Sequence, residues 1–86
     1  MRDRFDSFDE FLNTLYRGNE VILEYNEHKF SIFPFWNNDV VSGFYIGEMY
    51  KTFSLCKNST ELKKYTIFGD MFFDIFMKMK VIDSVL

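Results

Sequence analysis

Apolar residues recur at three- and four-residue spacing through Phe8, Phe11, Leu12, Leu15 and Tyr16, then change to alternation at Val21, Leu23 and Tyr25. The first period places its side chains on one face of a helix, and the second on one face of a strand with Glu20 and Glu24 opposite. Ile22 breaks the alternation. Ser7 with Glu10 three positions on is a capping-box start for the helix, and Gly18 is its C-cap.

Asn26-Glu27-His28 is a polar break before a second alternating run, Lys29 to Phe35, so the two runs are expected to pair as an antiparallel hairpin. Phe30 and Ile32 then join Val21 and Leu23 on the buried face, which leaves Phe33 and Phe35 on the other. Pro34 marks an edge or the last paired position. Trp36 to Asp39 reads as a loop, and Val40 to Tyr50 as a further strand in which Gly43 and Gly47 are bulges or a turn; Lys51 to Leu55 extends or follows it. Asn58 caps a short helix to Lys64 with Glu61 at its third position, and Asp70 caps a longer one to about Lys80. The tail from Val81 to Leu86 has strand composition and is able to pair with a sheet edge or with another chain. The order α-β-β-β-α-α, with or without a C-terminal strand from the tail, predicts one α+β domain over residues 1–86: a small antiparallel sheet of three to four strands with helices packed on one face.

Composition changes this picture in one respect. Eighteen of the 86 residues are aromatic, twelve of them Phe. A small core without disulfides needs large apolar side chains, each contributing about 1.5 to 3 kcal/mol when buried. Phe8, Phe11, Phe30, Phe72, Phe73 and Phe76 have such a core to fill. Phe33, Phe35, Trp36 and Tyr45 have none, so they are the surplus available for contact with another molecule. The Met71 to Met79 helix reads either as a core helix or as an adaptable partner groove.

Charge narrows the choice of partner. Residues 1–50 carry four basic and nine acidic side chains, net −5, and residues 51–86 carry six and four, net +2, so the chain totals −3. That balance argues against a phosphate-backbone binder and suits an acidic half steered toward a basic protein. A single-stranded nucleic acid stacking on Phe33, Phe35, Trp36, Phe44 and Tyr45 beside Lys51, Lys57, Lys63 and Lys64 is the rival reading, weakened because the lysines come from a later element.

Catalytic chemistry has little to start from. Cys56 is the single cysteine and His28 the single histidine. Cys56 reads as a small, partly buried residue and His28 as a solvated turn residue. Asp6, Asp9 and Glu10 match no metal loop and suit a first helical turn anyway. The glycines are too scattered for a phosphate loop. No cofactor, metal or catalytic residue is therefore assigned. The N-terminus lacks the apolar stretch of a signal peptide and no run approaches a membrane span, which predicts a cytoplasmic protein.

Several segments together resemble a group of small uncharacterised α+β proteins of low-GC Gram-positive bacteria and their prophages. The resemblance rests on Phe8, Phe11 and Leu12, on Gly18-Asn19-Glu20 before Val21-Ile22-Leu23-Glu24-Tyr25-Asn26, on Lys29-Phe30-Ser31-Ile32, on Ile67-Phe68-Gly69-Asp70, and on Phe73-Asp74-Ile75-Phe76. Glu27 stands where a turn glycine is usual in the group. The resemblance implies a compact α+β fold and carries over no activity.

The sequence thus leads to a non-enzymatic domain that acts by covering a partner protein, as immunity proteins, antitoxins and phage-encoded inhibitors do, with a basic nuclease or nucleic-acid enzyme as the partner class. The expected contact is Phe33, Phe35, Trp36, Tyr45 and Tyr50 with Glu20, Glu24 and Glu48 as rim. A homodimer formed through Val81 to Leu86 or through the aromatic face is the alternative, and single-stranded nucleic acid the third.

Overall fold

The computed structural model describes residues 4–84, and the side chains of 83 and 84 are outside the description. The tail positions Val85 and Leu86 therefore lie outside the described residues. Helix α1 (Phe8–Tyr16) starts where Ser7 Oγ accepts from the Glu10 N–H at 3.1 Å. Glu10 reaches back as the capping box requires, but to the Asp6 N–H, one residue before the cap. Its apolar stripe, Phe8, Phe11 and Leu15, is buried.

Five strands follow in one antiparallel sheet: β1 (Val21–Tyr25), β2 (His28–Asn37), β3 (Val40–Glu48), β4 (Ser54–Cys56) and, after the remaining elements, β7 (Lys80–Ser84). Their order is β4-β3-β2-β1-β7. This corrects the expected three to four strands. The tail as far as Ser84 pairs with β1, and the Ser54–Cys56 segment adds a short strand of its own to β3.

Two-residue turns join β1 to β2 and β2 to β3. Asn26 and Glu27 have φ of 51° and 67°, and Asn38 and Asp39 have 53° and 63°, the positive pairs of a type I′ turn. The second turn explains why the expected loop at Trp36 to Asp39 is wrong: β2 continues through Trp36 and Asn37, and only Asn38-Asp39 turns. Pro34 lies two residues beyond the last β1 pair, Val21 with Ile32, where that side of β2 is an edge and a missing N–H leaves no gap in a ladder.

Helix α2 (Ser59–Lys64) starts in the same way, with Asn58 Oδ1 accepting from the Glu61 N–H and Glu61 Oε1 accepting from the Lys57 N–H, again one residue before the cap, both at 2.9 Å. A small hairpin, β5 (Thr66–Ile67) and β6 (Asp70–Met71), comes next, then α3 (Phe72–Ile75) and a 3₁₀ turn over Phe76–Lys78. The single long helix from Asp70 to Lys80 is not formed. Asp70 is in a strand and Met71 precedes the helix without any side-chain cap, so the helical stretch is broken into one turn of each kind. Its amphipathic split is nonetheless clear, because Phe72, Ile75, Phe76 and Met79 are buried while Met71, Phe73 and Met77 are exposed.

One cluster of buried residues joins these layers. Phe8, Phe11, Phe72 and Phe76 pack with centroids 5.0 to 5.8 Å apart, mostly edge to face, the arrangement that ring quadrupoles favour. Against them lie Val21, Leu23, Phe30, Ile32, Phe44, Ile46 and Cys56 from one face of the sheet. Phe44, a candidate for base stacking by sequence, is therefore core. Phe73, assigned to the core, is instead 46% exposed, with its ring 5.3 Å from Phe8 and the Lys63 Nζ 5.1 Å above it.

Candidate functional site

Because side chains alternate along a strand, burial of Val21, Leu23, Phe30, Ile32, Phe44 and Ile46 fixes the residues on the other face. These are Glu20, Ile22 and Glu24 around β1, Lys29, Ser31, Phe33 and Phe35 on β2, Tyr45 on β3, Leu55 on β4, and Lys80 on β7. Among the described residues no helix covers this face.

Its centre is aromatic. Phe33 lies 5.2 Å from Tyr45 and 5.6 Å from Phe53, and Tyr45 lies 5.9 Å from Phe35. Half-burial of these four rings comes from one another rather than from a second layer, and Leu55 beside them is 47% exposed. The glycines of β3 make room for this cluster. A Cβ at Gly47 would stand 2.8 Å from the Thr52 carbonyl and 3.1 Å from the Phe53 ring, and one at Gly43 would stand 2.8 Å from the Cys56 carbonyl. Neither glycine is needed for a turn. The single β2–β3 irregularity falls between Phe35 and Trp36, opposite Ser42.

Polar groups frame the rings. Ser31 is buried on this face and its hydroxyl donates to the Glu20 carboxylate. Glu24 stands in register between Lys29 of β2 and Lys80 of β7. Among the described side chains, four charges thus sit here, two of each sign.

At the turn end of the sheet a depression of about 570 Å³ is lined by Ile22, Lys29, Met49 and Ile82 together with Glu27, His28, Glu48 and Tyr50. Tyr50 is 96% exposed and holds φ at +68°, a left-handed conformation uncommon for a bulky residue. Across its wall Glu48 accepts a bond of 2.8 Å from His28 Nδ1 and stands 3.7 Å from Lys51 Nζ. The His28 bond, helped by the Lys51 charge and opposed by slight burial, holds the Glu48 carboxyl below its ordinary value. A second depression, of about 400 Å³, lies beyond Glu48 toward Thr66 and Phe68.

Six of the eight residues expected at a partner contact are brought to this face or its margin: Phe33, Phe35 and Tyr45 in the ring cluster, Glu20 and Glu24 along β1, and Tyr50 at the depression; Glu48, opposite Phe30, has the helix-side parity of Phe44 and Ile46. Trp36 is on the helix side, where it continues the β2 alternation of Phe30 and Ile32 and where a Cβ at Gly18 would touch its ring at 3.5 Å. Phe53, Leu55 and Ile82 were missed. The alternation of Ser54 and Cys56 with Phe53 and Leu55 was the available signal, hidden because three residues are too few to establish a period.

Nothing in this arrangement assembles a metal centre: among the described residues no three His, Cys, Asp or Glu side chains are grouped to hold an ion. Cys56 is buried, and burial first, then the Glu61 charge, pushes its thiol up, away from reactivity. No helix of the described residues is long and apolar enough to cross a membrane. Comparisons with protein families, with curated proteins and with solved structures return no match for this chain.

Proposed function

We propose that this protein is a non-enzymatic binding domain that occludes a partner protein with the uncovered face of its sheet. The observation that carries the reading is the cluster of Phe33, Phe35, Tyr45 and Phe53, four rings assembled on a face that no other element of the described residues covers. Aromatic side chains supply large contact area with little conformational entropy to lose, and solvent-facing clusters of them mark interaction surfaces. Residues around the cluster supply orientation rather than area.

Immunity proteins, antitoxins and phage-encoded inhibitors work in this way. The described charges on the face cancel, so attraction of a basic nuclease or nucleic-acid enzyme comes from acidic groups in the turns at its ends, Glu27 and Asp39. Single-stranded nucleic acid is the poorer fit, since among the described residues the strip has Lys29 and Lys80 beside it, both in register with Glu24.

The test is capture from the native host with the wild-type chain and with a Phe33→Ser, Tyr45→Ser double variant. A specific protein retained by the first and lost by the second supports the reading. Equal capture by both, or turnover of a substrate by the pure chain with no protein captured, overturns it.

A further inference from the structure

The face just described meets a simple physical condition for pairing with itself. Among the described side chains of the face, Glu20, Glu24, Lys29 and Lys80 sum to zero, whereas the chain as a whole carries −3. Two copies brought together through an acidic part of the surface repel; these four charges set no such barrier and pair across the contact. At about 3.3 Å per residue and 4.8 Å between strands, the five strands present roughly 500 Å², so two copies would together cover on the order of 1,000 Å², the lower end for a specific interface.

We infer that, in the absence of a partner, two copies of the chain pack open face to open face in a weak symmetric dimer, each covering the other's ring cluster. Symmetry suits the surface, because an isologous contact lets apolar centre meet apolar centre while each Glu24 finds lysines on the other copy. The other route to a dimer, through the tail, is poorly supported: Val81 packs against the core, and an irregularity in the β1–β7 register between Ile22 and Leu23 leaves Ile82 unmatched and distorts the outer edge of β7. A dimer held this way is displaced by any partner that binds the same face more tightly. The inference does not depend on the partner reading.

Sedimentation equilibrium from about 5 to 300 µM tests it, with a dissociation constant on the order of 10–100 µM expected for an interface of this size. Leu55→Glu should weaken association at least tenfold, and Met77→Glu, on the exposed helix side, should leave it unchanged. A charge exchange guards against misfolding artefacts. Glu20→Lys with Glu24→Lys, and separately Lys29→Glu with Lys80→Glu, should each self-associate less, while an equimolar mixture of the two recovers the dimer. A strictly monomeric chain at 300 µM, a dimer lost through Met77→Glu rather than Leu55→Glu, or a mixture that stays monomeric overturns the inference. A monomer that still captures a foreign protein through Phe33 and Tyr45 overturns this inference alone and leaves the binding function standing.

Discussion

His28 Nδ1 and Glu48 Oε2 are 2.8 Å apart although twenty residues separate them in the chain. Two antiparallel registers create the pair: Tyr25 opposite His28 puts the histidine at the first position of β2, and Phe30 opposite Glu48 puts the glutamate at the last position of β3. The β5–β6 turn closes over the other side, with the Phe68 ring 4.9 Å from the imidazole.

The pair predicts a definite acid response. Glu48 titrates below its ordinary value in the folded chain, so its contribution to stability is complete above the unfolded carboxylate range, about pH 4.3, and is lost as pH falls through the lower folded value. In urea unfolding followed between pH 2 and 7, Glu48→Gln should be less stable than wild type near neutrality and the difference should shrink toward zero at the acid end. Parallel curves across that range would show that the contact does not form.

Glu27 is the second test. It holds φ at +67° in the β1–β2 turn, a region that a side chain with a Cβ enters at an energetic penalty and glycine does not. Glu27→Gly makes the Asn-Gly pair that type I′ turns prefer and should raise stability by about 1 kcal/mol. A loss of stability would mean that the turn is of another type.

For Gly47 the expected sign is opposite. The atoms that an added Cβ would meet first are backbone, the Thr52 carbonyl at 2.8 Å and the Phe53 Cα at 3.0 Å, and backbone cannot step aside. Gly47→Ala should destabilise by roughly 1–3 kcal/mol and shift the aromatic resonances of Phe53 and Phe33. An unchanged melting temperature would count against the close crossing of the 52–53 segment over β3.

Core and face should separate in a pair of truncations. Phe11→Ala removes a fully buried ring in contact with Phe5, Phe8, Phe72 and Phe76, and should cost about 3–5 kcal/mol, enough to unfold a domain of this size. Phe33→Ala removes a ring that touches only the face cluster and should leave a folded chain. Equal losses in thermal unfolding would mean that the sheet face is as much core as the helix side.

These contrasts also explain which parts of the structure were legible in the sequence. Phe8, Phe11 and Leu15, and likewise Val21, Leu23, Phe30 and Ile32, announce their elements because each period runs long enough to be counted. The Phe33, Phe35 and Tyr45 cluster follows from the same alternation read on its other face. Where local preference and tertiary packing disagree, the reading fails. The run from Met71 to Met79 has helical periodicity, but β6 claims its first residue and β7 begins just past its last, leaving too few positions for a long helix. Trp36 was misplaced because the strand was expected to end before it; once β2 runs on to Asn37, the alternation that buries Phe30 and Ile32 carries Trp36 to the helix side as well. The His28–Glu48 pair needs two registers at once, which no local pattern contains.

The strand order has a consequence for how the chain acquires its shape. Strands β1 to β4 are neighbours in both sequence and space, so this meander needs only short loops to close. The outer side of β1, however, is completed by β7, whose residues pair with it from about sixty positions away, Leu23 with Val81 and Glu24 with Lys80. Long loop closure is slow relative to hairpin formation. During synthesis β1 therefore remains an open edge until the last strand has emerged, and refolding should show a fast phase in which the hairpins form and a later one in which the first strand is sealed by the last.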